Sequence, residues 1–180
     1  MAIKTFTTGE VLTASDTNTY LANSGLVYVT SATVGSGVSS VTVSNAFSST
    51  YENYLITYTG GTGSTSADIS FQLTGATGSD YETGLYYASW GVTTPTVAMT
   101  TSTAFAWAGS TQTTGSTVFA NVLKPFLAQY TVISSQFWSG GIGWAQGRHK
   151  LNTSYTGFSL IIGSGTATGG TITVYGYRKA

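Results

Sequence analysis

From Leu26 onward the apolar residues recur at every second position in short runs, and no long helical pattern intervenes between them. A period of two is that of a strand whose successive side chains point to opposite faces. Ala67, Ile69, Phe71 and Leu73 alternating with Asp68, Ser70, Gln72 and Thr74 form the clearest case, a strand with one dry and one wet face. Glycine-rich turns punctuate the runs, and Thr, Ser and Gly supply 80 of the 180 residues. Threonine is stiff at χ1 and glycine weakens helix interiors, so both favour strands and turns. The absence of crossover helices argues against a parallel sheet, and the chain reads as all-β: an antiparallel β-sandwich, with a jelly roll as one way of connecting it.

The alternation predicts strands at 26–33, 38–43, 54–59, 67–73, 83–90, 103–107, 118–122, 130–138, 158–162 and 171–177. Gly60 to Gly63 is expected to end the third of these, and residues 91–102 around Pro95 to form a loop. Gly140, Gly141 and Gly143 mark a turn after Trp138, from which 144–151 returns as a hairpin.

The N-terminus differs. Thr13-Ala14-Ser15-Asp16 has the spacing of a capping box, in which each end residue bonds the other's backbone amide. It predicts a short helix over about 14–22, too short to persist alone in water. The expected organisation is an attachment arm over 1–24, anchored by Phe6, Val11, Leu12, Tyr20 and Leu21, ahead of a β-sandwich domain over 25–180.

Several function classes find no support in the residues. Six basic and six acidic side chains give zero net charge, so no long-range field gathers nucleic acid. No apolar run approaches the length of a spanning helix, so membrane insertion is not expected, and Thr8-Gly9-Glu10 stands where a secretory signal would have its apolar core. There are no cysteines and one histidine, His149, with no acidic residue near it in sequence; no metal or other cofactor is expected. Asp80 and Glu82 would share a strand face, but such spacing is common and is read as a polar rim, not as a hydrolytic pair. The basic run Arg148-His149-Lys150 is a candidate anion contact on a hairpin rim. Tyr81, Tyr86, Trp90, Trp107, Trp138 and Trp144 are candidates for a shelf under a sugar ring or for the apolar centre of a subunit interface.

Residues 4–21 (KTFTTGEVLTASDTNTYL) resemble the opening of small virion structural proteins of tailed bacteriophages, and 39–43 (SSVTV), 47–54 (FSSTYENY) and 170–177 (GTITVYGY) are similar to later segments of the same group. The resemblance implies a non-enzymatic, tail- or fibre-associated protein, assembled into the virion in the host cytoplasm through contacts with other virion proteins. Capsid decoration, or a head fibre, is the alternative place in the particle, and a glycan- or receptor-binding module for host-surface sugars the alternative role. With so few charges, the chain is expected to bury surface in a homo-oligomer, a trimer.

Overall fold

The computed structural model describes residues 5–17 and 25–178. A single helical turn, α1 (Ala14–Asp16), precedes thirteen strands: β1 (Leu26–Thr33), β2 (Ser40–Val43), β3 (Asn53–Gly63), β4 (Ala67–Leu73), β5 (Tyr81–Ser89), β6 (Thr96–Ser102), β7 (Phe105–Gln112), β8 (Gly115–Leu123), β9 (Thr131–Trp138), β10 (Gly141–His149), β11 (Phe158–Ile162), β12 (Ala167–Thr168) and β13 (Thr171–Tyr177). The fold is all-β, its strand pairings are antiparallel, and they join into one hydrogen-bonded network.

The pairings nest. β5 pairs β6, β4 pairs β7, β3 pairs β8 and β2 pairs β11, so the middle of the chain runs as one long hairpin returning on itself. β9 and β10 are inserted between β8 and β5, while β13 and then β1 extend the other side of β3. β8 is the fork. Along one edge it pairs with β3; along the other its first half pairs with β7 at Gly115–Val118 and its second half with β9 at Ala120–Leu123. Gly109 on β7 allows this close approach, because a Cβ there would lie 2.6 Å from a methyl group of Val118.

The core gathers side chains from strands far apart in this network. Tyr54 and Ile56 of β3, Phe71 and Leu73 of β4, Val118 and Val122 of β8, Phe158 of β11 and Ile172 of β13 are buried in one cluster. Phe158 stacks on Phe71 with ring centroids 4.6 Å apart, and Phe47 lies 5.7 Å from Phe158 and 4.8 Å from Tyr54. Offset and edge-on ring pairs of this kind add to the stabilisation from burial alone.

Three sequence expectations change. β3 does not stop at Gly60 but runs on to Gly63, with a register break against β8 between Tyr58 and Gly61. These glycines are places of close approach: the space a Gly61 side chain would need is taken by the Tyr58 phenol, which donates to the carbonyl of Gly169 at 2.9 Å. The supposed loop around Pro95 contains β6, whose Thr-Val-Ala-Met-Thr-Thr-Ser run alternates too weakly to be read. The strand expected at 103–107 begins at Phe105 and continues to Gln112, with a bulge against β4 where Trp107 takes a φ of 57°. The expected hairpin after Trp138 forms, but its bounds shift: only Gly140, at a φ of 67°, is in the turn, whereas Gly141 and Gly143 belong to β10, which returns along β9 and ends at His149.

Candidate functional site

β9, β10, β5 and β6 lie side by side, and their strand parity sorts the candidate residues onto two faces. On the inner face Tyr81 and His149 pair across β5 and β10, with Thr131 opposite His149 on β9. On the outer face the cross-strand rows are Gln136, Trp144, Tyr86 and Val97; then Ser134, Gln146, Gly84 and Met99; then Val132, Arg148, Glu82 and Thr101.

The inner face is closed to water. Tyr81 is fully buried; its hydroxyl donates to the Ala76 carbonyl at 2.9 Å and accepts from the Leu73 amide at 3.0 Å. Its ring meets Phe105 edge-on at 4.8 Å and His149 at 4.4 Å, and burial pushes the phenol well above its ordinary pKa. His149 is likewise buried, between Tyr81 and Tyr155, with Nδ1 3.3 Å from the Tyr155 hydroxyl. Burial pushes the imidazole below its ordinary pKa, against an opposing pull from Asp80. Nε2 of His149 and the hydroxyls of Thr83 and Thr131 make no hydrogen bond among the described residues. Trp107 is also inside, half-buried against Leu85, Phe137 and Ala145. Burial raises the carboxyl of Asp68, against an opposing pull from Trp107.

The outer face carries the exposed rings. Tyr86 and Trp144 are 47% and 54% exposed, with centroids 6.4 Å apart and planes inclined by 31°. Trp138 lies beyond them on the same face, and Trp90 is exposed in the loop after β5. Below the ring pair, Arg148 donates to Glu82 at 2.7 Å, and Lys150 approaches the same carboxylate at 3.8 Å. The Arg148 bond holds the Glu82 carboxyl below the usual range, and Glu82 in turn raises the guanidinium. Between rings and ion pair lies a trough of about 670 Å³, bordered by Glu82, Met99, Thr101, Gln146 and Arg148. Gly84 contributes to its lining and to that of a depression of about 290 Å³ reaching Tyr86 and Trp144.

Of the six aromatic candidates, then, Tyr86, Trp138, Trp144 and Trp90 are exposed, whereas Tyr81 and Trp107 belong to the interior. The Arg148-His149-Lys150 contact divides by parity: His149 faces the core and cannot meet a surface anion, and the two cations share Glu82. Sequence reading missed Gly84, Met99 and Gln146. Counting by two from Trp144 reaches Gln146 and Arg148, but Gly84 and Met99 join them only through strand pairing.

In the arm, both bonds of the capping box form: Thr13 N donates to Asp16 Oδ2 and Asp16 N donates to Thr13 Oγ1, each at 3.1 Å. Phe6, Val11 and Leu12 are exposed. Tyr20 and Leu21 lie outside the described residues. Among the described residues no cluster of three or more His, Asp or Glu could hold a metal, and no helix is long and apolar enough to cross a membrane. Comparison with family models, with curated proteins and with solved structures finds no match to the chain.

Proposed function

We propose that the chain is a non-enzymatic structural protein of a tailed-bacteriophage virion, tail or fibre associated, held in the particle by its N-terminal arm and acting as a homotrimer. The observation that carries this reading is the arm itself. Residues 5–17 are organised by their own local hydrogen bonds, yet none of them is buried, and Val11 is 79% exposed. A segment that folds locally while presenting Val11 and Leu12 to solvent suits docking into another protein, where each apolar side chain would contribute on the order of 1.5–3 kcal/mol if fully buried. The resemblance of residues 4–21 to virion proteins points the same way.

We further propose that the strand network is closed as a β-sandwich of jelly-roll type. β2-β11-β4-β7 would form one layer and β13-β3-β8-β9-β10-β5-β6 the other, with the chain crossing between them at the β8 fork. The nested pairings support this, as does Phe47, wedged between Phe158 of the first layer and Tyr54 of the second.

The test of attachment is a chain beginning at Gly25, together with the full chain carrying Val11→Asp and Leu12→Asp. Both should melt cooperatively near the wild-type midpoint, and both should fail to enter particles when immunolabelled virions are counted. Unlabelled wild-type particles would sink the virion assignment, and normal incorporation of both variants would sink the arm's role. Native mass measurement should give three chain masses; a monomer at high micromolar concentration would remove the trimer.

A further inference from the structure

Gly84 stands in the interior of β5, between two paired strands, and its backbone does not need a glycine. Its φ is not in the left-handed region, and an added Cβ would meet nothing closer than 4.0 Å. The contrast with β10 is direct: a Cβ at Gly143 would lie 2.6 Å from the Tyr86 carbonyl, and one at Gly147 2.6 Å from the Glu82 carbonyl and 2.8 Å from Phe105. Those glycines are dictated by packing. Gly84 instead weakens the strand relative to a residue with a side chain, and an added Cβ would meet nothing in this chain closer than 4.0 Å. One role of a glycine in a strand interior is to let a ligand or another backbone come close, and no bulge interrupts the pairing of β5 here.

We infer that the trough over Gly84, together with the adjoining depression that reaches Tyr86 and Trp144, is a binding site for an oligosaccharide, with those two rings as its stacking platform. The adjoining depression presents exposed aromatic faces whose negative π surface attracts the polarised C–H hydrogens of a pyranose face. The other end presents Glu82, shared by Arg148 and Lys150, with Gln146 and Thr101 also at the trough. Such an end offers charged and amide hydrogen-bond partners to the hydroxyl groups of a sugar. The trough's volume lies in the range of small-molecule sites, but it is open along its length. An apolar ligand would remain largely wet there, whereas a sugar loses little by leaving most of its hydroxyls in water. A protein partner fits less well, because interface centres are depleted of charge and this floor ends on an ion pair. The site is independent of the arm.

The structure supplies a variant that fills the trough without disturbing the fold. Gly84→Val projects its side chain into the open space and is a better strand residue than glycine. Full-length wild type, Gly84→Val and Trp144→Ala are titrated with maltose, cellobiose, lactose and N,N′-diacetylchitobiose, read by tryptophan fluorescence and saturation-transfer NMR, with melting and native mass measured in parallel. At least one disaccharide should bind the wild type in the millimolar range or tighter, and both variants should weaken it at least tenfold, with the Gly84→Val midpoint unchanged or higher. Should Gly84→Val fail to fold, Trp144→Ala decides. Failure of all four sugars to bind, or undiminished binding by Trp144→Ala or by a folded Gly84→Val, overturns the inference. So does a drop in native mass of folded Gly84→Val, which would show that another protein chain occupies the trough. Particle incorporation reads the arm and sugar titration reads the trough, so either reading can fail alone.

Discussion

The two faces of the β9-β10-β5-β6 region invert the usual arrangement of polar and apolar groups. Inside, an imidazole and two threonine hydroxyls are buried with tyrosines; outside, Trp144, Tyr86, Val97 and Met99 meet solvent around Glu82 and its two cations. Both faces come from the same alternating strands, one residue apart. Aromatic content therefore does not tell which face is the core. What distinguishes them is crowding: on the inner face of β10, Gly143 and Gly147 let backbones and rings meet, while Gly84 on the outer face opens onto space.

The largest test of this contrast exchanges one aromatic on each face for alanine. Tyr81→Ala removes a fully buried ring and leaves the Leu73 amide without its acceptor, so it should cost about 4 kcal/mol. Trp144→Ala removes a larger ring from a half-exposed position and should cost about 1 kcal/mol or less. Urea denaturation of both reads the difference; similar losses would mean that the outer face is part of a core.

The glycines give the next largest effect. Gly147→Val must displace the β5 backbone or the Phe105 ring and should cost about 1–3 kcal/mol, while Gly84→Val should be neutral or stabilising. In the β9–β10 turn, Gly141→Val should be worse than Ser139→Val, because the Ala88 carbonyl already occupies the space of a Gly141 side chain. Thermal midpoints order the four variants, and a destabilised Gly84→Val alongside a tolerated Gly147→Val would reverse the assignment of faces.

How much of this the sequence carried follows from the range of each signal. Local alternation located the β4, β9, β11 and β13 strands, and the Thr13–Asp16 spacing located the cap, because both depend on residues a few positions apart. β6 was lost because its only large apolar residues, Val97 and Met99, are on its exposed face, so it has no apolar stripe of its own toward the core. The continuation of β3 was lost because Gly60 to Gly63 looks like a turn until the Tyr58 phenol is seen in the space left free. For the site, parity within β10 separates His149 from Arg148, but the trough depends on Glu82, Gly84 and Met99 arriving from β5 and β6 through a register that no local pattern encodes.

A smaller effect tests the inner face by pH. His149 has its pKa lowered by burial, so above about pH 6.5 it is neutral in both folded and unfolded chains and its contribution to stability is constant. As pH falls below that value the unfolded chain takes up the proton first, and stability declines until the folded pKa is reached. The slope cannot exceed that of one proton, about 1.4 kcal/mol per pH unit. Asp80 opposes the shift and Lys150 reinforces it. Urea midpoints should fall between pH 7.5 and pH 5.5 in the wild type and much less in His149→Leu; equal declines in the two would place the titrating group elsewhere.

The smallest expected effect is at Glu82. Its bond to Arg148 looks prominent, yet both groups face water, where screening and side-chain entropy offset most of the attraction. Glu82→Gln keeps the shape and a hydrogen-bonding oxygen while removing the charge, leaving Arg148 and Lys150 uncompensated at the end of the trough. Its melting midpoint should match wild type at low and high salt, and the acid slope from His149 should persist, because the imidazole faces the opposite side of the sheet. What should change is selectivity. With the one carboxylate between the two cations lost, an acidic sugar such as glucuronic acid should gain in binding at low ionic strength relative to a neutral disaccharide, and added salt should erase the gain. A midpoint drop as large as that of Gly147→Val would instead make the ion pair a structural tie of β5 to β10, and the outer face would then resemble the inner one more than its exposure suggests.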